Sequence, residues 1–416
     1  MDRVIFHSDL NSFYASVELL DHPELRHRPV AVCGAPESRH GIILAKNEPA
    51  KVFGIKTAET IWQARKKCPE LVLLPAHHSK YRFFSKQINR IYQEYTDLVE
   101  PFGIDESWLD VTGSLHLFGG DPCALADQLR NRIRGTFGLT ISIGVSFNKV
   151  FAKLGSDYKK PDATTVITRE NYRNILWPLP VTDLLYVGKA AAQTFEKFNV
   201  RTIGDLARFD REALFTLLGK NGAQLHDFAN GLDRTPVAPA TRYTPPKSVG
   251  NGLTFPRNLQ GREEIKAGIT LLSDQVAGRL RRRGMECQGV SLSIRDPGFQ
   301  DLSRQQRLPA PTCLAREIAR AAMELAGGCW NMDSPVRALT VTAIYLIPAD
   351  EAGAQLDLLA GSQDQKRKRL EKLEGTLDHI RAKYGNGSIF SASTPRNPDE
   401  DRHAPPPSGV KSYPEE

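Results

Sequence analysis

The chain has 416 residues, 40% of them hydrophobic, and carries 55 Lys and Arg against 48 Asp and Glu, a net charge of +7. That length holds roughly two to four domains with ample apolar content for a core in each. Its six cysteines, Cys33, Cys68, Cys123, Cys287, Cys313 and Cys329, form no C-x-x-C pair, and no apolar run reaches membrane-spanning length. Zinc and disulfide frameworks and a membrane partner are thereby disfavoured, and a soluble cytoplasmic protein with reduced thiols and no signal peptide is expected.

An apolar strand over residues 4–9 ends at Asp9 and leads into a helix starting near Asn11. A short strand over 29–34, stopped by glycine, is predicted to pair with 41–45 across a polar turn. Helical stretches over 48–53 and 57–67 complete a small α/β insert. Over 80–97, Phe84, Ile88, Ile91 and Tyr95 share one helical face. An apolar strand beginning at Val99 then delivers the pair Asp105-Glu106, followed by Ser107-Trp108-Leu109-Asp110-Val111. Asp121-Pro122 opens a second amphipathic helix, Asp as cap and Pro in the first turn, with Leu125, Leu129 and Ile133 as its buried stripe. A strand over 139–145 and a helix over 148–154 follow. Two helices on a mixed sheet that carries the carboxylates make an α+β layer.

Beyond Asn171 the chain turns helical and glycine-punctuated. Leu184-Leu185-Tyr186-Val187-Gly188-Lys189, a helix to Phe198 and Thr202-Ile203-Gly204-Asp205-Leu206 fit a helix–hairpin–helix unit, or an ordinary αα-hairpin. Leu217-Leu218-Gly219-Lys220-Asn221-Gly222 fits a second, degenerate one. After a Pro-rich link the pattern is strand 248–255, helix 263–283, strands 290–295 and 301–308, helix 313–326, strand 336–347. Residues 242–310 hold twelve basic against six acidic side chains, and the cluster Arg279, Arg281, Arg282, Arg283 closes the first helix. Such a block suits phosphate tracking, a solvated helix face or the helix dipole. A charged helix over 365–384 precedes a Pro-rich end expected to be disordered.

Asp9, Asp105 and Glu106 are the candidate chemistry. Carboxylates gathered at strand ends repel one another unless a cation lies between them, and such a set can hold two Mg²⁺ ions for phosphoryl transfer. On spacing alone, acidic residues there more often form turns and caps.

The strings around them decide more. His7-Ser8-Asp9-Leu10-Asn11-Ser12-Phe13-Tyr14-Ala15-Ser16-Val17-Glu18 and Gly103-Ile104-Asp105-Glu106-Ser107-Trp108-Leu109-Asp110-Val111-Thr112 resemble the two metal-binding motifs of the Y-family DNA polymerases, DNA polymerase IV (DinB) class. Gly144-Val145-Ser146-Phe147-Asn148-Lys149-Val150-Phe151-Ala152-Lys153 and Ser156-Asp157-Tyr158-Lys159-Lys160-Pro161 extend the resemblance, in the family's order, across nearly the whole chain.

The resemblance implies an α+β multidomain right-hand polymerase. Its parts are a palm (1–10 and 76–166), small fingers (11–75), a helix–hairpin–helix thumb (167–234), a linker (235–246), a β-α-β-β-α-β little finger (247–347) and a tail (348–416). It implies template-directed, low-fidelity translesion DNA synthesis on primer–template DNA with deoxynucleoside triphosphates, by a monomer without a proofreading exonuclease. Asp9, Asp105, Glu106 and the Leu10 carbonyl would hold two Mg²⁺ ions, with Asn11 outside the ligand set. Tyr14 would be the steric gate against ribonucleotides. Phe13, Tyr14, Lys51, Tyr81 and Lys160 would meet the triphosphate, and Gly188, Lys189, Arg281, Arg282 and Arg283 the DNA. Gln355, Leu356, Leu358 and Leu359 would dock on a sliding clamp.

Three departures stand out. Glu48 and Lys51 replace a tyrosine donor and a bidentate arginine, with Lys46 as a possible compensating charge. Leu185-Tyr186 replaces Pro-Gly in the hairpin, and Leu359 ends the clamp string where many relatives carry Phe. Rival readings are a DNA-binding relative that has lost catalysis, a nucleotide cyclase on a similar palm, and a helix–hairpin–helix repair enzyme. Retention of the three carboxylates speaks against the first. A cyclase needs neither a hairpin thumb nor a basic β-α-β-β-α-β domain, and no separate glycosylase or nuclease site is found for the third.

Overall fold

The structure, a computed structural model, describes residues 2–34, 41–242, 244–351, 361–385 and 388–389, the stretch 361–366 as backbone only. The described chain divides into two compact units, one through Arg242 and one beyond it.

The first unit opens with β1 (Ile5–Leu10) and α1 (Phe13–Glu18), followed by β2 (Val30–Cys33), β3 (Ile43–Lys46), α2 (Glu48–Val52), α3 (Ile61–Lys67) and β4 (Val72–Pro75). It continues with α4 (His78–Gln93), β5 (Val99–Pro101), β6 (Glu106–Asp110), α5 (Pro122–Phe137), β7 (Ile141–Ser146), α6 (Lys149–Tyr158) and β8 (Thr164–Ile167). Two sheets result. The larger has the order β5-β6-β1-β7-β8, and the smaller is β3-β2-β4. β1 is the central strand of the larger sheet, antiparallel to both neighbours and buried throughout, its polar His7, Ser8 and Asp9 included. The helices close as their caps dictate: Asp121 accepts from Cys123 N–H, Asn148 from Phe151 N–H, and Thr60 forms a capping box with Gln63. Leu125, Leu129 and Ile133 are buried as their spacing predicts. The short strands β4 and β8 carry no sequence alternation and were not foreseen. Each pairs in parallel, with β2 and β7 respectively.

Five helices complete this unit: α7 (Tyr172–Leu176), α8 (Lys189–Lys197), α9 (Ile203–Arg208), α10 (Arg211–Leu218) and α11 (Lys220–Ala229). They share a core that includes Leu184, Phe195, Ile203, Leu206, Leu214 and Leu225. Part of the expected linker packs on this unit. Val237 is buried with Ile5 and Trp108, and the Ala240 N–H donates to the Asp97 carbonyl at 3.0 Å.

The second unit is β9 (Ser248–Leu259), α12 (Gly261–Arg282), β10 (Met285–Arg295), β11 (Asp301–Thr312), α13 (Ala315–Cys329), β12 (Val336–Pro348) and α14 (Gly361–Tyr384). Its sheet runs β11-β10-β12-β9, all antiparallel. Val290, Leu292, Ile294, Val341 and Ala343 share the core with α12 and α13. Alternation puts Ser291, Ser293, Thr340 and Thr342 on the opposite face, paired across the sheet with Gly250 and Gly252. The stretch holding Gln355, Leu356, Leu358 and Leu359 lies outside the described residues.

Candidate active site

Register brings the first two carboxylates together. Asp9 stands opposite Glu106 across β1 and β6. Asp105 lies in the turn just before β6, where Gly103 at φ +92° lets the chain reverse and the Phe102 N–H closes on the Glu106 carbonyl at 2.8 Å. The Leu10 N–H donates to the Asp105 carbonyl at 3.0 Å, tying the end of β1 to that turn. Burial, then the charges of Asp9 and Glu106, push the Asp105 carboxyl up to about 6.

Two lysines complete the cluster. The Lys153 ammonium, on α6, contacts Asp9 at 3.1 Å, Glu106 at 2.9 Å and Asp157 at 3.2 Å. Lys160 reaches Asp9 and Asp157, each at 2.7 Å. Burial works against the Lys153 charge, but Asp9, Asp157 and Glu106 outweigh it and hold its pKa above the ordinary value. Sequence reading placed Lys160 with the triphosphate and assigned no role to Lys153. The only sequence signal for the latter was its i,i+4 spacing to Asp157.

His7 backs the site from within the sheet. Burial, then Lys153, pushes its pKa down to about 3, so the ring is neutral. The Ser156 hydroxyl donates to the Lys153 carbonyl at 2.8 Å and so accepts from His7 Nδ1–H, also at 2.8 Å. His7 Nε2 is then a bare lone pair, 3.3 Å from Glu106 Oε2, and neither buried atom has a hydrogen-bond partner. Of this pair only the carboxylate belongs to the proposed ligand set. With Asp9 and Asp105 it offers hard, anionic oxygen donors, which fit a divalent cation such as Mg²⁺. Among the described residues, no three Asp, Glu, His or Cys side chains already stand at metal-binding spacing. The lysine ammoniums supply the positive charge between these carboxylates.

α1 carries Phe13 and Tyr14 on the turn after β1. Phe13 is buried, whereas Tyr14 is half-exposed and stacks on Tyr81 of α4. Burial, then the Asp105 charge, raises the Tyr14 phenol pKa. The expectation for Tyr81 needs correction. It is 0% exposed, and its hydroxyl donates to Glu18 while accepting from the His77 N–H. Its donor is spent inside the core, so it supports Tyr14 and does not meet a triphosphate directly. Lys51 is exposed but paired with Glu48 at 2.5 Å, and Glu48 also accepts from Ser12 at 3.1 Å. Lys46 donates to Thr57 at 3.1 Å. Asn11 is held by Ser142 and by the Asp162 N–H, consistent with its exclusion from the ligand set.

In the helical part of the first unit, Gly188 caps α8, and both Gly188 and Lys189 are exposed. Tyr186 adopts φ +71°, so the left-handed conformation of a glycine is kept by a bulky residue. In the second unit Arg281 needs correction. Its guanidinium is 12% exposed and held by Glu374 and Asp378 of α14 and by the Cys313 carbonyl at 3.0 Å. Two carboxylates and a carbonyl take four of its five N–H donors, and the two negative charges that face it already balance its own. Arg282 and Arg283 are exposed.

Two family models match the chain, both described as impB/mucB/samB: the family itself over residues 8–157 and its C-terminal domain over 246–358. A DNA polymerase IV of Acetivibrio thermocellus is 49% identical over 389 residues, covering 94% of this chain and 96% of that protein. DNA polymerase IV 1 of Bacillus subtilis is 36% identical, covering 94% and 93%. A solved Y-family DNA polymerase chimera superposes with a TM-score of 0.72 at 22% identity, over 83% of this chain and 99% of its own.

Proposed function

The chain belongs to the impB/mucB/samB family, as a Y-family DNA polymerase of the DNA polymerase IV class, and on that premise we propose that Asp9, Asp105 and Glu106 are its catalytic centre. It is a DNA-directed DNA polymerase of the translesion type, acting on DNA and nucleotides and dependent on a divalent metal. The observation that carries the proposal is the pairing of Asp9 with Glu106 across β1 and β6, beside Asp105.

The reaction is attack of a primer 3′-hydroxyl on the α-phosphorus of a deoxynucleoside triphosphate, with pyrophosphate leaving. Two Mg²⁺ ions, held by Asp9, Asp105, Glu106 and the Leu10 carbonyl, would supply the charge that lowers the hydroxyl pKa and stabilises the leaving group. The chain's own side chains do the rest. Lys160 offers an ammonium to phosphate oxygens, and Lys51 a second one if it exchanges Glu48 for phosphate. Tyr14, stacked from below, closes the space at the sugar C2′, so a ribose hydroxyl meets its ring. Phe13 anchors that turn in the core.

The open sheet face of the second unit supports a DNA track. Ser291, Ser293, Thr340, Thr342, Gly250 and Gly252 let a phosphate backbone approach closely and donate to it. Arg282, Arg283, Gly188 and Lys189 are further contacts in this reading. In this reading the protein works as a cytoplasmic monomer whose synthesis is of low fidelity. Residues 355–359 tie it to a sliding clamp.

Primer extension with Mg²⁺ and each deoxynucleotide, beside an Asp105→Ala/Glu106→Ala control, tests the centre. Template-directed extension that vanishes in the control is expected. Extension that survives in the control would overturn the assignment.

A further inference from the structure

The small β3-β2-β4 layer exposes an aromatic ring that the reaction does not use. Trp62 on α3 is 70% exposed, although its neighbours Ile61 and Ala64 are buried against the layer. Lys66, one turn on, places its ammonium 5.6 Å from the indole centroid. Arg65, Lys66 and Lys67 are all exposed on the same short helix.

The helix is firmly seated. Its N-terminus carries the Thr60–Gln63 capping box, and at its C-terminus Lys67 donates to the Gly54 carbonyl at 2.8 Å and pairs with Glu59 at 2.5 Å. That contact joins α3 to the turn after α2, where Val52 is 85% exposed beside Phe53. Between residues 51 and 67 the chain has five basic side chains and one acidic one, Glu59, which Lys67 already neutralises. An exposed indole framed by cations is what binds unpaired nucleic acid: the ring stacks on a base and the ammoniums track phosphates. A protein partner docking on an apolar face would call for a flat apolar stripe. Here Trp62 is the one exposed apolar side chain of α3, and the three charged side chains of that helix, Arg65, Lys66 and Lys67, are all cationic.

We propose that Trp62, with Arg65 and Lys66, is a stacking platform for the single-stranded template ahead of the nascent base pair. This rests on the polymerase reading above, because that reading supplies the unpaired strand. α3 shares its core with α2, which carries Lys51, so the platform stands on the layer that flanks the proposed triphosphate site, beside the unpaired template that approaches it. The contact is independent of sequence, since every base has a π-face.

The test compares binding of the full chain to primer–templates with one and with ten unpaired template nucleotides, at fixed salt. The ten-nucleotide overhang is expected to bind about tenfold tighter. Trp62→Ala brings that ratio close to one, and Trp62→Phe keeps most of it. An overhang of abasic residues, tested with the unaltered protein, removes the bases and keeps the phosphates, so it loses most of the preference. A ratio unchanged in Trp62→Ala, or an abasic overhang bound as tightly as a natural one, overturns the platform. A preference that survives Trp62→Ala but is removed by an excess of unrelated protein would assign the face to a protein partner, and also overturns it. Primer extension on the one-nucleotide template is run in parallel. Its failure in the unaltered protein would strike the polymerase reading, whereas the binding ratio decides the platform by itself.

Discussion

The phenol rings of Tyr14 and Tyr81 lie stacked, their centroids 4.0 Å apart and their planes 13° from parallel. Tyr81 is locked by its hydroxyl bond to Glu18, which is itself buried and paired with Lys80 at 3.6 Å. Tyr14, the proposed wall against a ribose hydroxyl, is therefore held by a second ring that is itself anchored in the core. Tyr14→Ala removes the wall, and the ratio of kcat/KM for deoxynucleotides over ribonucleotides is expected to fall at least about a hundredfold, a loss near 3 kcal/mol. Tyr81→Leu leaves the wall but frees its plane, so discrimination falls by less. Unchanged sugar selection in purified Tyr14→Ala refutes the gate.

Lys153 touches Asp9, Glu106 and Asp157 with one ammonium. Lys153→Met strips that charge from three carboxylates. Breaking a buried pair by removing one partner costs about 3–5 kcal/mol, and the low solvent exposure of Lys153 puts this site near that regime. A divalent ion restores the lost charge, so Mg²⁺ should raise the melting temperature of Lys153→Met more than that of the unaltered protein. Melting curves with Mg²⁺ and with a chelator read this directly. Equal Mg²⁺ shifts in both proteins would mean that Lys153 does not share the carboxylates' charge.

Local signals in the sequence carried much of this architecture. The cap Asp121 and the stripe Leu125, Leu129, Ile133 are set by residues a few positions apart, and the structure has them as read. The β-α-β-β-α-β order of the second unit was equally legible, because its strands alternate and its helices keep a 3.6-residue period. What sequence could not supply were partners distant along the chain. Tyr81 looks like a donor until Glu18, 63 residues earlier, takes its hydroxyl. Arg281 looks like a phosphate ligand until Glu374 and Asp378, more than ninety residues later, enclose it. Lys153 acquires its role only when β1, β6 and α6 meet. The three candidate carboxylates are legible in the sequence because strand ends and motif strings are themselves local.

Gly144 of β7 has no room for a side chain. A Cβ there would lie 1.9 Å from the Ala152 carbonyl oxygen and 2.4 Å from the Ser156 nitrogen, both backbone atoms of α6. Gly144→Ala must therefore push α6 off the sheet, at a cost of about 3 kcal/mol. Since α6 carries Lys153 and Ser156, the His7–Ser156 bond and the ammonium contacts shift with it. A lower denaturant midpoint together with slower extension is expected. A midpoint within error of the unaltered protein would show that α6 is not seated as described.

Arg281 and its neighbours Arg282 and Arg283 should separate cleanly into structure and binding. Arg281 joins α12 to α14, and Glu374 also accepts from the Ala315 N–H at the start of α13, so one cluster holds three helices. Arg281→Ala leaves two largely buried carboxylates facing each other without a cation, and costs about 3 kcal/mol. The loss falls on α14, whose inward face is charged and ion-paired: Arg381 pairs with Asp274 at 2.8 Å, and Arg367 donates to the Pro311 carbonyl. With few apolar contacts in reserve, that helix should detach and become open to limited proteolysis. Its release should also become easier at high salt. Arg282→Ala and Arg283→Ala, on exposed side chains, should leave melting and proteolysis unchanged. If they meet phosphate, each weakens binding across all sequences and lowers the salt slope by about one. A protected α14 in Arg281→Ala, with DNA affinity lost instead, would return Arg281 to the DNA-binding surface.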